Sequence, residues 1–201
     1  MKYVWAIDKG HGGIIDGQYV TAPSKMYEHS SSEVFYEGVS NRVIGDLLLD
    51  LGRKEDLVMI DICPTELDVP LPVRVKIVNQ YYKQYGNLVL LSLHSNAGGG
   101  SGFEVWTSVG QTRSDKFAEI LGGRLVHSFP DLSFRSDTVD GDLDKESQFY
   151  ILAKTKCPAV LPECLFFDNY NEYLLLEEGE FRIAYVKVLI DFMKKAELQN
   201  I

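Results

Sequence analysis

Short β-rich apolar runs alternate with longer segments of helical period along the whole chain, and this alternation limits the fold more than any other feature. It is typical of a mainly parallel sheet covered by helices. The chain has 201 residues, enough for one such domain and too few for two ordinary domains with a linker. We therefore predict a single α/β domain over residues 1–201, with a twisted, mostly parallel six-stranded sheet covered by helices on both faces.

Six apolar runs predict the strands, at residues 3–7, 57–62, 88–93, 103–107, 149–152 and 159–161, the last with room to extend to 166. Four segments with apolar residues at three- and four-residue intervals predict helices. The first stops near Gly52 and the second opens at Pro72. The third is capped by Thr112 or Ser114, and the last covers about residues 180–198.

Two segments lack regular periodicity, at residues 14–33 and 135–146. Loops of this length in a compact domain tend to be functional or mobile. The second segment offers oxygen ligands from Asp140, Asp142 and Asp144, but it lacks the regular spacing of a calcium-binding loop. We therefore expect a solvated loop there, or a wall of a substrate groove.

Charge and cysteine content exclude several classes of protein. With 20 basic and 29 acidic residues, the net charge of -9 disfavours nucleic-acid binding through a broad basic surface. An acidic polymer would be repelled unless a local site compensates. The three cysteines are widely spaced, which argues against a disulfide scaffold or a zinc ribbon and favours a reducing compartment. No run is long enough for a membrane span or a signal peptide, so we expect synthesis in the cytoplasm without an export signal and no membrane insertion.

Two histidines follow predicted strands in glycine-rich turns, His11 within DKGHGG and His94 within LHSNAGGG. The carboxyl ends of parallel strands meet at the sheet edge where open α/β sheets bind ligands. Imidazole is the commonest zinc ligand, and a catalytic zinc uses three protein ligands. Glu37, at the start of the first helix, is the best third ligand, with Glu28 and Glu33 as alternatives. The spacing matches no compact HExxH motif.

Other polar residues lie at the same edge. Glu163 ends the last apolar run, where a carboxylate can act as general base toward a metal-bound water. Asn96 and the backbone amide of Gly98 are placed to hold a substrate or a developing oxyanion. The remaining histidines, His29 and His127, belong to no motif, and we expect them at the surface.

Four segments occur in the order of the motifs of zinc-dependent N-acetylmuramoyl-L-alanine amidases with a type 3 catalytic domain, which this chain resembles. They are IDKGHGG at 7–13, Glu37 with Asn41-Arg42, SLHSNA at 92–97 with GFEV at 102–105, and PAVLPE at 158–163. The resemblance covers residues 3–192, and four ordered motifs are more specific than any one of them.

The resemblance implies a peptidoglycan hydrolase that cleaves the amide between N-acetylmuramic acid and L-alanine of the stem peptide. It implies one Zn²⁺ per chain, with His11, Glu37 and His94 as ligands and Glu163 as the catalytic glutamate acting on a zinc-bound water. Two departures leave these residues intact: Lys9 stands where the family often has Pro or Asn, and Pro162 precedes the glutamate.

The biological setting and two rival functions stay open on the sequence. Since no export signal is visible, we expect a monomeric phage endolysin that acts on the cell wall after release and has no separate wall-binding module; a bacterial autolysin with the same chemistry is the alternative. A zinc carboxypeptidase or endopeptidase acting on stem peptides is the rival enzyme. A non-catalytic peptidoglycan-binding module is the rival of another class.

Overall fold

A computed structural model describes residues 2–21, 25–137, 141–199 and 201. The strands in this part of the chain are β1 (Val4–Lys9), β2 (Ile14–Ile15), β3 (Gln18–Tyr19), β4 (Met26–Ser30), β5 (Glu33–Tyr36), β6 (Val58–Asp61), β7 (Leu88–Asn96), β8 (Glu104–Thr107), β9 (Lys145–Glu146) and β10 (Ala159–Phe166). The helices are α1 (Glu37–Lys54), α2 (Leu71–Tyr85), α3 (Arg113–Ser128), α4 (Tyr150–Lys154), α5 (Tyr170–Glu177) and α6 (Gly179–Gln199). None of these helices combines the length and apolarity needed to cross a membrane.

The central sheet has six strands in the order β6-β1-β7-β10-β8-β9. The first four run parallel, whereas β8 pairs antiparallel with β10 and parallel with β9. This arrangement confirms the predicted mostly parallel six-stranded sheet. Because β1, β7 and β10 are parallel neighbours, their carboxyl ends meet at one edge of the sheet.

Helices cover both faces, as predicted. Side chains alternate along β1, so that Trp5 and Ile7 join one apolar core while Val4 and Ala6 join the other. The larger core packs under α1, α3 and α6, and the smaller one under α2 and α4. Burial on both faces explains why the central strands read as near-continuous apolar runs.

The prediction of a strand at residues 149–152 is wrong. This segment lies in α4, where Ile151 and Leu152 are buried in the smaller core. A run of four apolar residues does not distinguish a strand from one helical turn, since each can bury such a run. The sixth strand is β9 instead, a two-residue edge strand with no apolar residue to signal it.

Several local features differ from the expectations. Residues 14–33 are not irregular throughout, because β2 pairs with β3 and β4 with β5 in two short hairpins. Helix α1 passes through Gly52 and ends two residues later. Asp144 is buried and accepts a 2.5 Å hydrogen bond from Thr107, so this part of the acidic segment is not a solvated loop. Asp140 lies outside the described residues.

Candidate metal centre

Three neighbouring strands and one helix bring the predicted site residues together at the carboxyl edge of the sheet. His11 lies two residues beyond the end of β1, and His94 lies near the end of β7. Glu163 of β10 pairs with His94 in the parallel register. Glu37 is the first residue of α1, directly after the β4–β5 hairpin. The four side chains thus lie in or near the carboxyl-terminal parts of three parallel strands and at the start of α1, which meet at the same edge.

The two imidazoles and the Glu37 carboxylate converge. The potential ligand atoms of His11, Glu37 and His94 all lie within 4.8 Å of one another, and they form the one such group of three among the described residues. Glu37 Oε1 lies 3.0 Å from His94 Nδ1 and 3.2 Å from His11 Nε2. The two imidazole rings meet edge to face with centroids 4.9 Å apart. The structure therefore assembles the predicted trio around one point.

Glu37 is buried at the start of α1, with only 1% of the residue exposed. Burial alone raises the pKa of its carboxyl, but the hydrogen bonds and charges of His11 and His94 outweigh burial and bring that pKa well below the usual range. Its other oxygen, Oε2, lies 3.6 Å from Lys25 Nζ. A buried anion held at a helix start is a strong attractor for a cation.

These residues fit a divalent zinc ion. Two imidazoles and one carboxylate form a donor set that leaves a fourth position for water or substrate. Within the described chain, the buried Glu37 Oε2 has an ion-pair contact with Lys25 but no hydrogen bond, so its accepting capacity is left for another group. Burial lowers the pKa of His11, which favours the neutral imidazole that a metal requires.

Glu163 lies beside this trio and faces the same cavity. Its Oε2 is buried and has no hydrogen-bond partner within the described chain. Burial raises the pKa of its carboxyl, an effect that the nearby His94 opposes and Glu37 reinforces. The cavity has a volume of about 570 Å³, and Val69, Leu71, Phe149 and Tyr150 line part of its wall. A titratable group without a structural partner in such a cavity is typical of a functional site.

Two glycines permit the close approach of the ligand-bearing segments. A Cβ atom at Gly10 would lie 2.4 Å from the imidazole of His94. A Cβ atom at Gly38 would lie 1.8 Å from the carbonyl oxygen of Gly12, in the turn that follows His11. Both distances are far inside van der Waals contact, so these glycines are required for the observed packing.

The backbone of His11 is held in an uncommon conformation by two arginines. Its φ angle is 66°, in the left-handed region that non-glycine residues rarely occupy. Its carbonyl oxygen accepts one 2.9 Å hydrogen bond from Arg42 Nη2 and another from Arg74 Nη2. These charge-assisted hydrogen bonds stabilise a turn that would otherwise be strained. Arg42 and Arg74 therefore position the candidate metal ligand His11, and neither is itself one of the three convergent ligand residues.

Arg74 is also the partner of a buried carboxylate. The side chains of Arg74 and Asp8 are 2% and 1% exposed, and Nη1 donates a 2.6 Å hydrogen bond to Asp8 Oδ1. Ser92 donates another hydrogen bond to Asp8, at 2.6 Å. Although burial raises the pKa of Asp8, Arg74 and Ser92 together bring it below the usual value. Arg74 and Asp8 both line the cavity, and Asp8 lies in β1 just before the His11 turn.

Replacing Arg74 with Met is expected to lower the free energy of unfolding by about 3–5 kcal/mol, because Asp8 would be left buried without its cation. Urea unfolding of wild type and variant measures this change. Arg124→Met is the matched control, since Arg124 pairs with the half-exposed Asp191 on the surface and should cost less than about 1 kcal/mol. An Arg74→Met protein as stable as the control variant would contradict the assigned role.

Asn96 and Gly98 lie at the same edge, but the atoms expected to contact substrate have other partners. Asn96 Nδ2 donates to Glu104 Oε2 at 2.8 Å, and the Gly98 amide donates to Asp168 Oδ2 at 2.7 Å. The Gly99 amide donates to the same Asp168 oxygen at 2.8 Å. Substrate binding by Asn96 and Gly98 stays a prediction, and in this geometry it would need their other atoms.

The remaining candidates lie outside the trio. Glu28 is exposed, and Glu33 accepts hydrogen bonds from Ser30 and Tyr170, so neither replaces Glu37. His127 is exposed, as predicted. His29 is half-buried rather than at the surface, because its Nε2 lies 2.9 Å from the carbonyl oxygen of Phe167.

Cys164 is buried on the strand that carries Glu163. Neighbouring strand residues point to opposite faces, so its thiol faces the larger core and not the metal centre. Burial raises the pKa of this thiol well above its ordinary value. Such a thiol is an inert core group.

Sequence reasoning did not find Arg42, Arg74 and Lys25 as members of the site. The two arginines lie on helices whose apolar period was the visible signal, and the bonds that tie both to the site go to the backbone carbonyl of His11, which a sequence does not display. Lys25 lies in the segment without clear periodicity. The sequence signal for Arg42 was only its place beside Asn41 in the second motif.

Comparison with known proteins identifies the family. The family model for N-acetylmuramoyl-L-alanine amidases, Amidase_3, matches residues 6–195. A curated relative, the amidase CwlM of Bacillus licheniformis, is 30% identical over 115 residues, and the match covers 56% of this chain and 40% of that protein. The chain thus matches two fifths of the length of this relative.

Solved structures share the fold. An N-acetylmuramoyl-L-alanine amidase from Clostridium difficile 630 superposes with a TM-score of 0.76 at 22% identity, covering 97% of this chain and 96% of that one. The catalytic domain of the CD27L endolysin, which targets Clostridia difficile, superposes with a TM-score of 0.67 at 22% identity, covering 97% of each chain. With its sequence matched over nearly its full length, the chain belongs to the N-acetylmuramoyl-L-alanine amidase family.

Proposed function

We propose that the chain is a zinc-dependent peptidoglycan amidase. It cleaves the amide between the lactyl group of N-acetylmuramic acid and the L-alanine that begins the stem peptide. In this proposal His11, Glu37 and His94 hold one Zn²⁺, and Glu163 is the catalytic acid–base residue. Membership of the amidase family supports the reaction, and the chain's own geometry supports the roles of these four residues.

One observation carries the proposal: Glu163 lines a cavity beside three convergent candidate ligand side chains, and its buried oxygen Oε2 has no hydrogen-bond partner within the described chain. An unpartnered buried carboxylate is costly in a purely structural role, because nothing replaces the water it has lost. A general base, in contrast, needs a carboxylate oxygen that has no hydrogen-bond partner and can accept a proton. A binding module would gain nothing from this cost.

Each of the site residues has a separate role in the proposed hydrolysis. When bound, Zn²⁺ would supply Lewis acidity that polarises the scissile carbonyl and acidifies water. Glu163 takes a proton from the attacking water at its free oxygen and then gives it to the leaving nitrogen of L-alanine. Arg42 and Arg74 hold the His11 turn, and Lys25 balances the charge of Glu37 on the open side. The apolar wall excludes water from the rest of the cavity.

The products of digestion test this proposal. Purified protein is incubated with isolated peptidoglycan, with and without a zinc chelator, and the soluble products are identified by mass spectrometry. We expect stem peptides with a free L-alanine amine, and we expect them to be absent when the chelator is present. Peptides cut within the stem would instead indicate a carboxypeptidase or endopeptidase. Absence of products from walls of several chemotypes would favour a binding module.

We also propose that the chain acts as a monomer in phage lysis, reaching the wall from the cytoplasm through a membrane lesion. The structural likeness to an endolysin catalytic domain is compatible with this role, although it concerns the fold alone. Expression in a host with a peptidoglycan that the purified protein cleaves tests the role. We expect rapid lysis only when a pore-forming membrane protein is co-expressed; lysis without one would indicate another route to the wall.

A further inference from the structure

A second charged cluster lies on the strand next to Glu163. Glu104 of β8 pairs with Glu163 in the antiparallel register, so their side chains lie on the same face of the sheet. Glu104 is only 3% exposed. Its Oε1 accepts hydrogen bonds from Arg135 Nε at 2.7 Å and from Lys145 Nζ at 2.8 Å. The cluster therefore brings two cations to the neighbourhood of the candidate catalytic residue.

Both carboxylate oxygens of Glu104 accept hydrogen bonds from other members of this cluster. Its Oε2 accepts hydrogen bonds from Asn96 Nδ2 at 2.8 Å and from Trp106 Nε1 at 3.0 Å. Although burial raises it, these donors and the two cations bring the pKa of Glu104 below its usual value. One anion facing two cations leaves the cluster with an excess positive charge.

Arg135 is the accessible member of the cluster. Its side chain is 45% exposed, whereas that of Lys145 is 20% exposed and lies over the Trp106 ring. The Arg135 guanidinium stacks on Phe166, with its central carbon 5.3 Å from the ring centroid. Among the described residues, only its Nε donates a hydrogen bond. Two contacts thus orient the guanidinium, and within the described part of the chain its two terminal nitrogens have no hydrogen-bond partner.

The guanidinium of Arg135 lies at the edge of the sheet that carries the candidate catalytic residue. Phe166 ends β10 three residues after Glu163, so Arg135 lies at the same carboxyl edge of the sheet. The other arginine near the cavity, Arg74, is buried and paired with Asp8. Lys25 lines the same cavity as Glu163, and its Nζ lies 3.6 Å from Glu37 Oε2. In a chain with a net charge of -9, an anionic substrate needs a local cation, and Arg135 meets that need.

We propose that Arg135 binds a carboxylate group of the substrate and so makes the site prefer stem peptides that carry a free carboxylate near the scissile amide. The planar guanidinium forms two parallel hydrogen bonds with a carboxylate, a geometry that an amide does not match. Glu104 and Phe166 hold Arg135 in place for this contact. The inference rests on the proposed function for the identity of the substrate.

Binding to the Glu163→Gln protein loaded with zinc tests the subsite without turnover. The two probes are N-acetylmuramoyl-L-alanyl-D-glutamate and its diamide, measured by isothermal titration calorimetry. We expect the acid to bind about tenfold more tightly than the diamide, the size of effect that one charge-assisted pair commonly has. Adding Arg135→Gln should weaken binding of the acid to that of the diamide and leave the diamide unchanged. Adding Arg135→Lys should retain part of the preference, because it keeps the charge and loses the two-pronged geometry.

Arg124→Gln is the matched control, since it removes an arginine from α3 that pairs with Asp191. A preference for the acid that survives Arg135→Gln overturns the proposal, as does failure of both probes to bind. Thermal unfolding checks that each variant is folded; if Arg135→Gln is not, an unchanged preference in Arg135→Lys overturns the proposal. Hydrolysis by the wild-type chain is scored separately. A chain that binds the acid through Arg135 and cleaves nothing would contradict the proposed function but not this subsite.

Discussion

Replacing Glu163 with Gln is expected to lower kcat by about 10²–10⁴-fold, the usual contribution of a positioned general acid–base group. Gln has nearly the same size and can fill the same place, but it cannot accept and return the proton. Because Glu163 is not one of the three convergent ligand residues, the variant should still bind one zinc ion per chain. Steady-state kinetics on a soluble muramoyl peptide, with metal analysis of the same sample, measure both effects.

Glu28→Gln is the control for this substitution, since Glu28 is exposed and outside the cavity. It should leave both kcat and zinc content unchanged. A Glu163→Gln protein that keeps a near wild-type rate would show that another group moves the proton. A Glu163→Gln protein that has lost its zinc would instead place Glu163 among the ligands.

Replacing His94 with Ala is expected to weaken zinc binding by more than about 100-fold, beyond the 10–100-fold typical of losing an outer-shell partner. The substitution removes one of three ligand side chains and also the 3.0 Å contact with Glu37. Activity should fall with the metal, and added zinc should restore little of it. Competition with a chromogenic chelator measures the affinity, and the same samples are assayed for peptide release.

His127→Ala is the matched control, because this exposed histidine lies in the last turn of α3 and far along the chain from the trio. Zinc affinity in the control should equal that of the wild type. Equal affinities in the His94→Ala and wild-type proteins would remove His94 from the metal site.

The central part of the fold could be predicted because burial on both faces leaves a strong sequence signal. Strands β1, β7 and β10 each begin with a continuous apolar run, and the long helices show apolar residues at helical spacing. The cap at Thr112 could also be predicted, and the structure shows Thr112 and Asp115 in a reciprocal capping box. These features depend on local residue choice.

The periphery could not be predicted, because its structure depends on contacts distant in sequence. Strand β9 consists of Lys145 and Glu146 and is formed only by pairing with β8. Helix α4 is too short to display a helical period. Asp144 looks like a solvated acid in the sequence, yet Thr107 and the surrounding chain bury it.

The candidate site also contains residues that the sequence predicted and contacts that it did not. His11, His94 and Glu163 could be found because each closely follows a short apolar run that predicts a strand, and the carboxyl ends of parallel strands meet. The sequence favoured Glu37 as the third ligand but left Glu28 and Glu33 open, and the packing of the hairpin and α1 brings the carboxylate of Glu37 to the two histidines. The predicted contacts from Asn96 and Gly98 show the limit of position alone, because Glu104 and Asp168 occupy the polar groups expected to face substrate.

Zinc titration of the metal-free protein tests the central claim most directly, namely that the centre of His11, Glu37 and His94 holds one metal ion on which amide hydrolysis depends. Bound zinc and peptide release are followed together as Zn²⁺ is added. We expect release to be absent at the start, to rise in proportion to bound zinc, and to stop rising at one ion per chain. Full activity in the metal-free protein, or activity unchanged as the first ion binds, would contradict the claim.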